Sequence, residues 1–230
     1  MKLDIIYEDK DILVCFKPAG VATQTARLSS QDMVSMIKNY LSKQTKEKDP
    51  YVGIIHRLDQ PVSGLLVFAK NQKAAASLSK QIQDGNANKD YIAMCQGTLA
   101  EKSGELTHYI MKDPVTKLAK VRNTDDGSGL YKKAILNFEV EKEVEDVSII
   151  KVHLQTGRFH QIRAQFSHIG HALLGDAKYA DDKTKEESMK KRIQKIALVA
   201  NHLGLKHPMT GKEMEFTLEE TYLPQWYKGF

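Results

Sequence analysis

Residues 1–70 contain short apolar runs separated by polar turns. Residues 5–7 and 12–16 are rich in β-branched and aromatic side chains and flank an acidic turn at residues 9–11, which predicts a β-hairpin. Two further apolar runs, at residues 54–55 and 65–69, are typical of buried strands. The chain therefore opens with strands that belong to a hydrophobic core.

Apolar residues at helical spacing predict two helices in this first part of the chain. One follows a start signal at Ser29 and Ser30 and gives way to a Lys-rich, solvated loop over residues 42–50. The other is capped by Asn71 and ended by Gly85. Their apolar positions are Met33, Val34, Met36, Ile37, Tyr40 and Leu41 in the first helix and Ala74, Leu78 and Ile82 in the second.

The second half of the chain reads mainly as strands. Residues 88–97 form a β-prone run, residues 98–154 alternate between apolar and polar positions as in an antiparallel meander, and residues 196–205 and 214–218 add two closing strands. The pattern predicts an α+β fold with a mixed, mainly antiparallel sheet. Turns are expected at residues 103–104, 113–114, 125–129 and 207–211.

A third predicted helix follows the turn at residues 155–157 and ends at Gly170, with Ile162, Phe166 and Ile169 on one face. Its start gathers Arg158, His160 and Arg163, a set suited to polar recognition of a ligand. His160, His168 and His171 lack a carboxylate or cysteine partner at ligand spacing, which argues against a metal site. The charged segment 181–195 is predicted to be an exposed helix or insertion.

Composition fits one domain over residues 1–230, or two closely joined lobes. The chain is 41% hydrophobic and 27% charged, and no repeat or flexible linker divides it. Its 34 Lys and Arg against 29 Asp and Glu give a net charge of +5 and a pI near 9.0, which favours a polyanionic partner.

Cellular location follows from two further observations. Cys15 and Cys95 lie in separate apolar runs without metal-ligand spacing, which predicts buried thiols in a reducing compartment and argues against zinc. The N-terminal residues are interrupted by acids, and no apolar run is long enough to cross a bilayer. We therefore expect a cytoplasmic protein with no membrane partner.

The candidate chemistry lies between the buried runs at 54–55 and 65–69, where His56, Arg57 and Asp59 surround a Gln-Pro turn. An ionised carboxylate beside a core is costly unless it is paired. From the residues alone, either Arg57 and Asp59 form an ion pair that fixes the turn, or Asp59 is a reactive carboxylate.

Several other cations also have two interpretations. Lys17 either contacts phosphate or is a turn lysine in solvent. A basic group in the predicted meander forms either a rim that contacts an RNA backbone or an ordinary solvated face. Its members are Lys112, Lys117, Lys120, Arg122, Lys132 and Lys133.

A resemblance decides between the alternatives at Asp59. The run HRLDQPVSGLLVFAK resembles the signature of the RluA-type pseudouridine synthases, which isomerise uridine to pseudouridine within RNA. Four further segments resemble the motifs of the same family: FKPAGVATQ, the Lys-x-Tyr at residues 89–91, LQTGRFHQIRAQFSHIGHALLGDAKYA and LVANHLGLKHP. The chain departs from the usual pattern at Val62, Gln165, Ala180 and Val199.

The resemblance implies a role for each motif residue. Asp59 is the catalytic carboxylate, as nucleophile or as base; Tyr91 stacks on the uracil; and Arg163 pairs with Asp59. Leu203 packs at the catalytic aspartate. Since the target base must be extruded from structured RNA, Arg57 with His56 is placed to fill the vacated stack. The segment that holds Arg158 and His160 contributes to substrate binding.

The resemblance also implies a two-lobed fold with a central cleft, a transfer or ribosomal RNA substrate and no cofactor, metal or DNA. We expect a monomer without a separate RNA-binding domain ahead of the catalytic one. A non-catalytic RNA-binding protein of the same fold is the alternative. An enzyme of small metabolites is disfavoured, because no Gly-rich phosphate loop is present.

Overall fold

The computed structural model describes residues 2–25 and 31–229, and the chain divides into two compact units. The first unit takes Met1–Asn88 and Ala200–Tyr222, and the second takes Lys89–Val199 and Leu223–Phe230. The first unit is therefore assembled from two separate parts of the sequence, whereas the second is nearly continuous.

Both units contain strands and helices. In chain order they are β1 Asp4–Glu8, β2 Ile12–Lys17, β3 Gly53–Ile54, β4 Ser63–Ala69, β5 Asn88–Gln96, β6 Ser103–Lys112, β7 Ala119–Arg122, β8 Lys132–Val144, β9 Val147–Leu154, β10 Leu198–Lys206 and β11 Glu213–Thr217. The helices are α1 Met33–Thr45, α2 Gln72–Gln83, α3 Gln161–His168, α4 Asp182–Lys190 and α5 Gln225–Lys228, with a 3₁₀ turn at Glu220–Tyr222. Among the described residues no helix has both the length and the apolar character needed to span a membrane.

In the first unit, β2 lies between β1 and β4, and both pairings are antiparallel. The predicted hairpin is thus confirmed. Residues 12–15 of β2 have no exposed surface, because both faces of this strand are covered. Burial raises the pKa of the Cys15 thiol to about 12, which fits the predicted core role. On its other side β4 pairs with the short β3 and with β10, which in turn pairs with β11.

The two helices of the first unit begin at side-chain caps. The Oδ1 of Asp32 accepts the Ser35 N–H at 2.7 Å, and Ser35 Oγ accepts the Asp32 N–H in return, so a capping box starts α1. The predicted start at Ser29 and Ser30 lies outside the described residues. Asn71 caps α2 as predicted, accepting the Ala74 N–H at 2.9 Å.

The predicted loop over residues 42–50 begins too early. Helix α1 continues to Thr45, and Lys46 ends it in the left-handed conformation with its N–H bonded to the Ser42 carbonyl. The polar residues 42–45 extend the helix because its buried stripe, which includes Ile37 and Leu41, already anchors the preceding turns.

Gly64 is required where β4 passes β10. Its φ is +134°, a region that L-residues avoid, and a Cβ at this position would lie 2.3 Å from the carbonyl oxygen of Ala200. The two strands therefore approach within a distance that only glycine allows. This close contact lies at the start of the strand that follows the Asp59 turn.

The second unit is built on an antiparallel sheet with the order β5-β9-β8-β6-β7. The predicted meander is confirmed, as are the turns at residues 113–114 and 125–129. The turn expected at residues 103–104 is wrong, because both residues belong to β6. Gly104 pairs there with Phe138, whose ring would lie 3.3 Å from a Cβ, so this glycine makes room for an aromatic neighbour.

Helices α3 and α4 also belong to the second unit. Helix α3 follows His160, which has a φ of +53°, and its residues 161–166 are all buried. Helix α4 falls within the charged segment expected to be exposed, but its Thr184 has no exposed surface and Ser188 Oγ accepts the Gly175 N–H at 2.9 Å. One face of α4 is therefore part of the unit's interior.

Candidate active site

Asp59 lies in the first unit on the loop between β3 and β4. The Val62 N–H donates to the Asp59 carbonyl at 3.0 Å and closes the predicted turn. The preceding residue, Leu58, is buried, and its backbone N–H and C=O both bond to the Thr23 hydroxyl, at 3.3 and 3.1 Å. The Asp59 side chain is half-buried, so the loop presents a partly desolvated carboxylate on a fixed backbone.

Both interpretations of Lys17 are wrong. Its side chain has no exposed surface, and its ammonium donates to three carbonyl oxygens, those of Pro18, Val21 and Gln60, at 3.1, 2.6 and 3.0 Å. The Gln60 carbonyl also accepts the Gly20 N–H at 2.8 Å. Lys17 therefore ties the Asp59 turn to the turn after β2, and its ammonium has no remaining donor for phosphate.

Burial lowers the pKa of Lys17 to about 8, while the negative charge of Asp59 acts in the opposite direction. Below pH 8 the amine is protonated in both the folded and the unfolded chain, and the fold bears the full cost of burying it. Between pH 8 and 10.5 the folded protein binds fewer protons than the unfolded chain, so the free energy of unfolding rises with pH.

We therefore expect the parent protein to gain up to about 3 kcal/mol relative to Lys17→Met over this interval. Urea unfolding of both proteins at pH 7, 8, 9 and 10 measures the difference. Parallel pH dependence of the two proteins would show that the Lys17 amine does not titrate in this range.

His56 and Arg57 differ in exposure. The Nε2 of half-buried His56 accepts the Val67 N–H of β4 at 3.3 Å, which places the ring proton on Nδ1. The ring continues the bonding of β4 where β3 ends, so His56 helps the chain leave the sheet toward Asp59. Arg57 is exposed.

Tyr91 lies in β5 of the second unit, paired with Val152 and 7% exposed. Its neighbour Asp90 points to the other face, where Oδ1 lies 2.6 Å from His153 Nδ1. The same strand therefore directs Tyr91 and Asp90 to opposite sides, and only Tyr91 belongs to the well-buried side.

Arg163 forms a bidentate ion pair with Asp176 inside the second unit. Nε and one terminal nitrogen donate to the two carboxylate oxygens, each at 2.7 Å, and the side chains are 4% and 0% exposed. Asp176 Oδ1 also accepts the backbone N–H of Lys178 and Tyr179, at 2.9 and 3.3 Å. Asp176 is a residue that sequence reasoning missed, and the pairing of Arg163 with Asp59 stays a prediction.

Tyr179 connects His160 to this pair. Its ring lies 5.1 Å from the Arg163 guanidinium carbon, and its hydroxyl lies 2.8 Å from His160 Nδ1. The same hydroxyl oxygen also accepts the Ala119 N–H at 2.7 Å. The His160 ring also stacks on Phe159 with the centroids 3.7 Å apart. His160 thus braces the start of α3.

The two remaining predicted substrate-binding residues belong to different units. Arg158 is exposed, and its Nε donates to the Lys133 carbonyl at 2.8 Å. Leu203 is 1% exposed in β10, opposite Phe216 of β11, and belongs to the same unit as Asp59.

The basic group of the meander is partly neutralised within the second unit. Lys120 pairs with Asp113 at 2.7 Å, and Arg122 pairs with Asp126. Lys112 stands 4.7 Å from the centre of the Phe159 ring. These three cations thus fit the solvated-face interpretation, whereas Lys132 and Lys133 are exposed at the start of β8.

Within residues 2–25 and 31–229, one histidine-carboxylate group is close enough to share a cation: Asp9, Asp11 and His207. His207 Nδ1 faces the N–H groups of Met209 and Thr210, at 3.3 and 3.1 Å, and must accept from them. Nε2 therefore keeps its proton and donates to Asp9 at 2.9 Å, so it has no lone pair for a metal. The cluster is a hydrogen-bonded link between the β1–β2 turn and the end of β10.

Comparison with known proteins identifies the family. The family model described as RNA pseudouridylate synthase matches residues 11–168, a segment that contains Asp59, Tyr91 and Arg163. The chain belongs to the RNA pseudouridylate synthase family. This family catalyses the isomerisation of uridine to pseudouridine in RNA, so the chain is an isomerase.

Relatives of this synthase extend over nearly the whole chain. It is 33% identical over 225 residues to the ribosomal large subunit pseudouridine synthase D of Zymomonas mobilis, covering 94% of this chain and 69% of the relative. It is 32% identical over 209 residues to the dual-specificity RNA pseudouridine synthase RluA of Vibrio parahaemolyticus, covering 89% and 78%. The fold is similar to that of human RNA pseudouridylate synthase domain containing 4, with a TM-score of 0.78, 19% identity and coverage of 98% and 90%.

Three of the four departures of this synthase from the usual motifs lie in the interiors of its units, whereas Ala180 is half-buried. Val62 is 2% exposed, while Gln165 and Val199 have no exposed surface. The Gln165 amide donates to the Leu106 carbonyl at 3.0 Å, so this residue serves the packing of α3 against β6. None of these three side chains lies on the surface of its unit.

Proposed function

We propose that this synthase converts specific uridines of structured ribosomal or transfer RNA to pseudouridine, with Asp59 as the catalytic carboxylate. The proposal rests on the family match across residues 11–168, which includes the Asp59 loop. Relatives named for the ribosomal large subunit and for dual specificity support the choice of RNA. The Asp59 loop, fixed by Lys17 and Thr23, is suited to hold a reactive group in one position.

The reaction is an intramolecular rearrangement. The bond between C1′ of the ribose and N1 of uracil breaks, the base turns, and C1′ bonds to C5. The C5 proton leaves to solvent, and N1 takes up a proton, so atoms and electrons balance without an oxidant or reductant. Asp59 acts either as a nucleophile or as the base that removes a sugar proton, and in both roles it must be ionised.

The proposal assigns the other motif residues to the same uridine. Tyr91 stacks on the uracil and assists removal of the C5 proton, and Arg163 supplies the positive charge that keeps a desolvated Asp59 ionised. Asp176 holds the Arg163 guanidinium in one plane, as the bidentate pair indicates. On this proposal the two units act together as a single catalytic domain and as a monomer.

Extrusion of the uridine is assigned to the loop before Asp59. Arg57 enters the vacated stack and His56 holds the loop to β4, as its bond to Val67 suggests. Arg158, exposed beside α3, contacts the RNA, and Leu203 packs at the catalytic aspartate.

Mapping tests the substrate directly. Pseudouridines in total RNA from cells with and without this gene should differ at one or a few sites in ribosomal or transfer RNA. The purified chain should form pseudouridine at the same sites in transcripts that lack modifications. A non-catalytic RNA-binding protein would leave the two maps identical.

RNA binding should also depend steeply on salt. About four phosphate contacts give a log-log slope of roughly −3 for single-stranded regions, so affinity should fall roughly fiftyfold between 50 and 200 mM salt. Binding of a fluorescent RNA stem-loop that carries the mapped uridine, titrated at four salt concentrations, measures the slope. A slope near zero would contradict recognition through the RNA backbone.

A further inference from the structure

Lys89 is a buried cation that the reaction above does not use. It lies at the second position of β5, two residues before Tyr91 and on the same face of the strand. The residue is only 7% exposed. Within the described part of the chain its ammonium has neither a hydrogen bond nor an ion pair, and burial alone shifts its pKa downward.

The ammonium lies just under the surface of the second unit. The exposed Gly157 lies beside it, and a Cβ at that position would stand 3.7 Å from Lys89 Nζ. The Gly157 backbone is outside the left-handed region, so its conformation does not require glycine. The missing side chain instead leaves the ammonium open to a ligand from solvent.

A buried ammonium without a counter-charge is unfavourable, and an anionic oxygen is the ligand that compensates it. Asp90, the nearest carboxylate in sequence, points to the other face and lies against His153. The anion available to an RNA-modifying enzyme is the phosphodiester. Two residues of strand separate the Cα atoms of Lys89 and Tyr91 by about 7 Å, a span that one nucleotide reaches with its base and its phosphate.

We propose that Lys89 is a substrate-positioning residue, whose ammonium binds a non-bridging phosphate oxygen next to the nucleotide whose uracil lies against Tyr91. The inference rests on the proposed function, since it takes the RNA and the role of Tyr91 from it. Lys89 fixes the sugar-phosphate backbone while Tyr91 fixes the base, so the glycosidic bond is held at both ends.

The test combines a protein variant with a chemically altered RNA. Lys89→Met keeps the apolar stem and removes the charge, and a single methylphosphonate on either side of the target uridine removes the charge of one phosphate. Lys89→Met and one of the two methylphosphonates should each raise KM roughly ten- to hundredfold and leave kcat within about threefold. The two changes together should cost little more than either alone, because they remove the same contact.

Lys142→Met is the matched control, since it removes an exposed lysine from β8 of the same unit. It should change KM less than threefold. Gly157→Ala is the second variant. It tests the same contact if Lys89→Met fails to fold, because it keeps the lysine and adds only a methyl group at ordinary contact distance. Like Lys89→Met, it should raise KM.

Additive effects of Lys89→Met and the methylphosphonates would overturn the inference. So would an equal effect of Lys142→Met, an unchanged KM in Gly157→Ala, or a loss confined to kcat, which would place Lys89 in proton transfer. Failure of the proposed function gives a different result, because the parent protein would then form no pseudouridine in any RNA.

Discussion

Asp59→Asn is expected to make pseudouridine formation undetectable while the protein stays folded and binds RNA. Asparagine preserves the shape of the side chain and the turn, in which the Val62 N–H bonds to the backbone carbonyl of residue 59. It removes the charge that a nucleophile or a base must carry. Removal of a negative charge from an RNA-binding surface should leave affinity unchanged or slightly higher.

Tritium release from RNA labelled at C5 of uracil measures the reaction. A binding titration with the same RNA measures affinity, and a melting curve shows whether the variant is folded. Asp84→Asn removes an exposed carboxylate at the end of α2 in the same unit, so it should retain both tritium release and RNA binding and is the matched control. Tritium release near the parent rate from folded Asp59→Asn would show that Asp59 is structural.

Asp176→Asn is expected to destabilise the fold and to lower activity at least a hundredfold. The change leaves Arg163 as a buried cation with a neutral partner, and breaking a buried pair costs about 3–5 kcal/mol. For a chain of this size the melting temperature should fall by roughly 6–20 °C. Activity falls further because the guanidinium is no longer held in one orientation.

Thermal melting and tritium release, measured below the melting point of the variant, separate these effects. Asp182→Asn, which removes a fully solvated carboxylate from the same unit, is the control and should change neither quantity appreciably. If Asp176→Asn kept the stability and rate of the parent, the Arg163–Asp176 pair would have no role in either fold or reaction.

The sequence pattern predicted those elements whose structure is determined by residues close together in the chain. Asn71 caps α2, and the acidic turn joins β1 to β2, because the residues that decide these structures are neighbours in sequence. The turn expected at Ser103 and Gly104 failed for the opposite reason. Gly104 is glycine on account of Phe138, which is remote in sequence and adjacent only across the β6–β8 pairing.

The candidate site likewise has features that the sequence predicted and features that it did not. The residues alone left Asp59 open between an ion pair and a reactive carboxylate, and the family motif supplied its role. No pattern predicted the burial of Lys17, because one of its three acceptors, the Gln60 carbonyl, comes from a distant loop. Asp176 was missed because a tight turn after α3, not a recognisable spacing, brings it to Arg163.

The split first unit has a consequence for synthesis of the chain. Strand β4, rich in buried apolar residues, leaves the ribosome long before β10, which covers one of its edges. Translation of the residues between these strands takes on the order of ten seconds, during which β5 to β9 can pair with one another. Until β10 has been made, the nascent chain thus carries an apolar strand with an uncovered edge, which is the kind of surface that pairs with other chains and that chaperones shield.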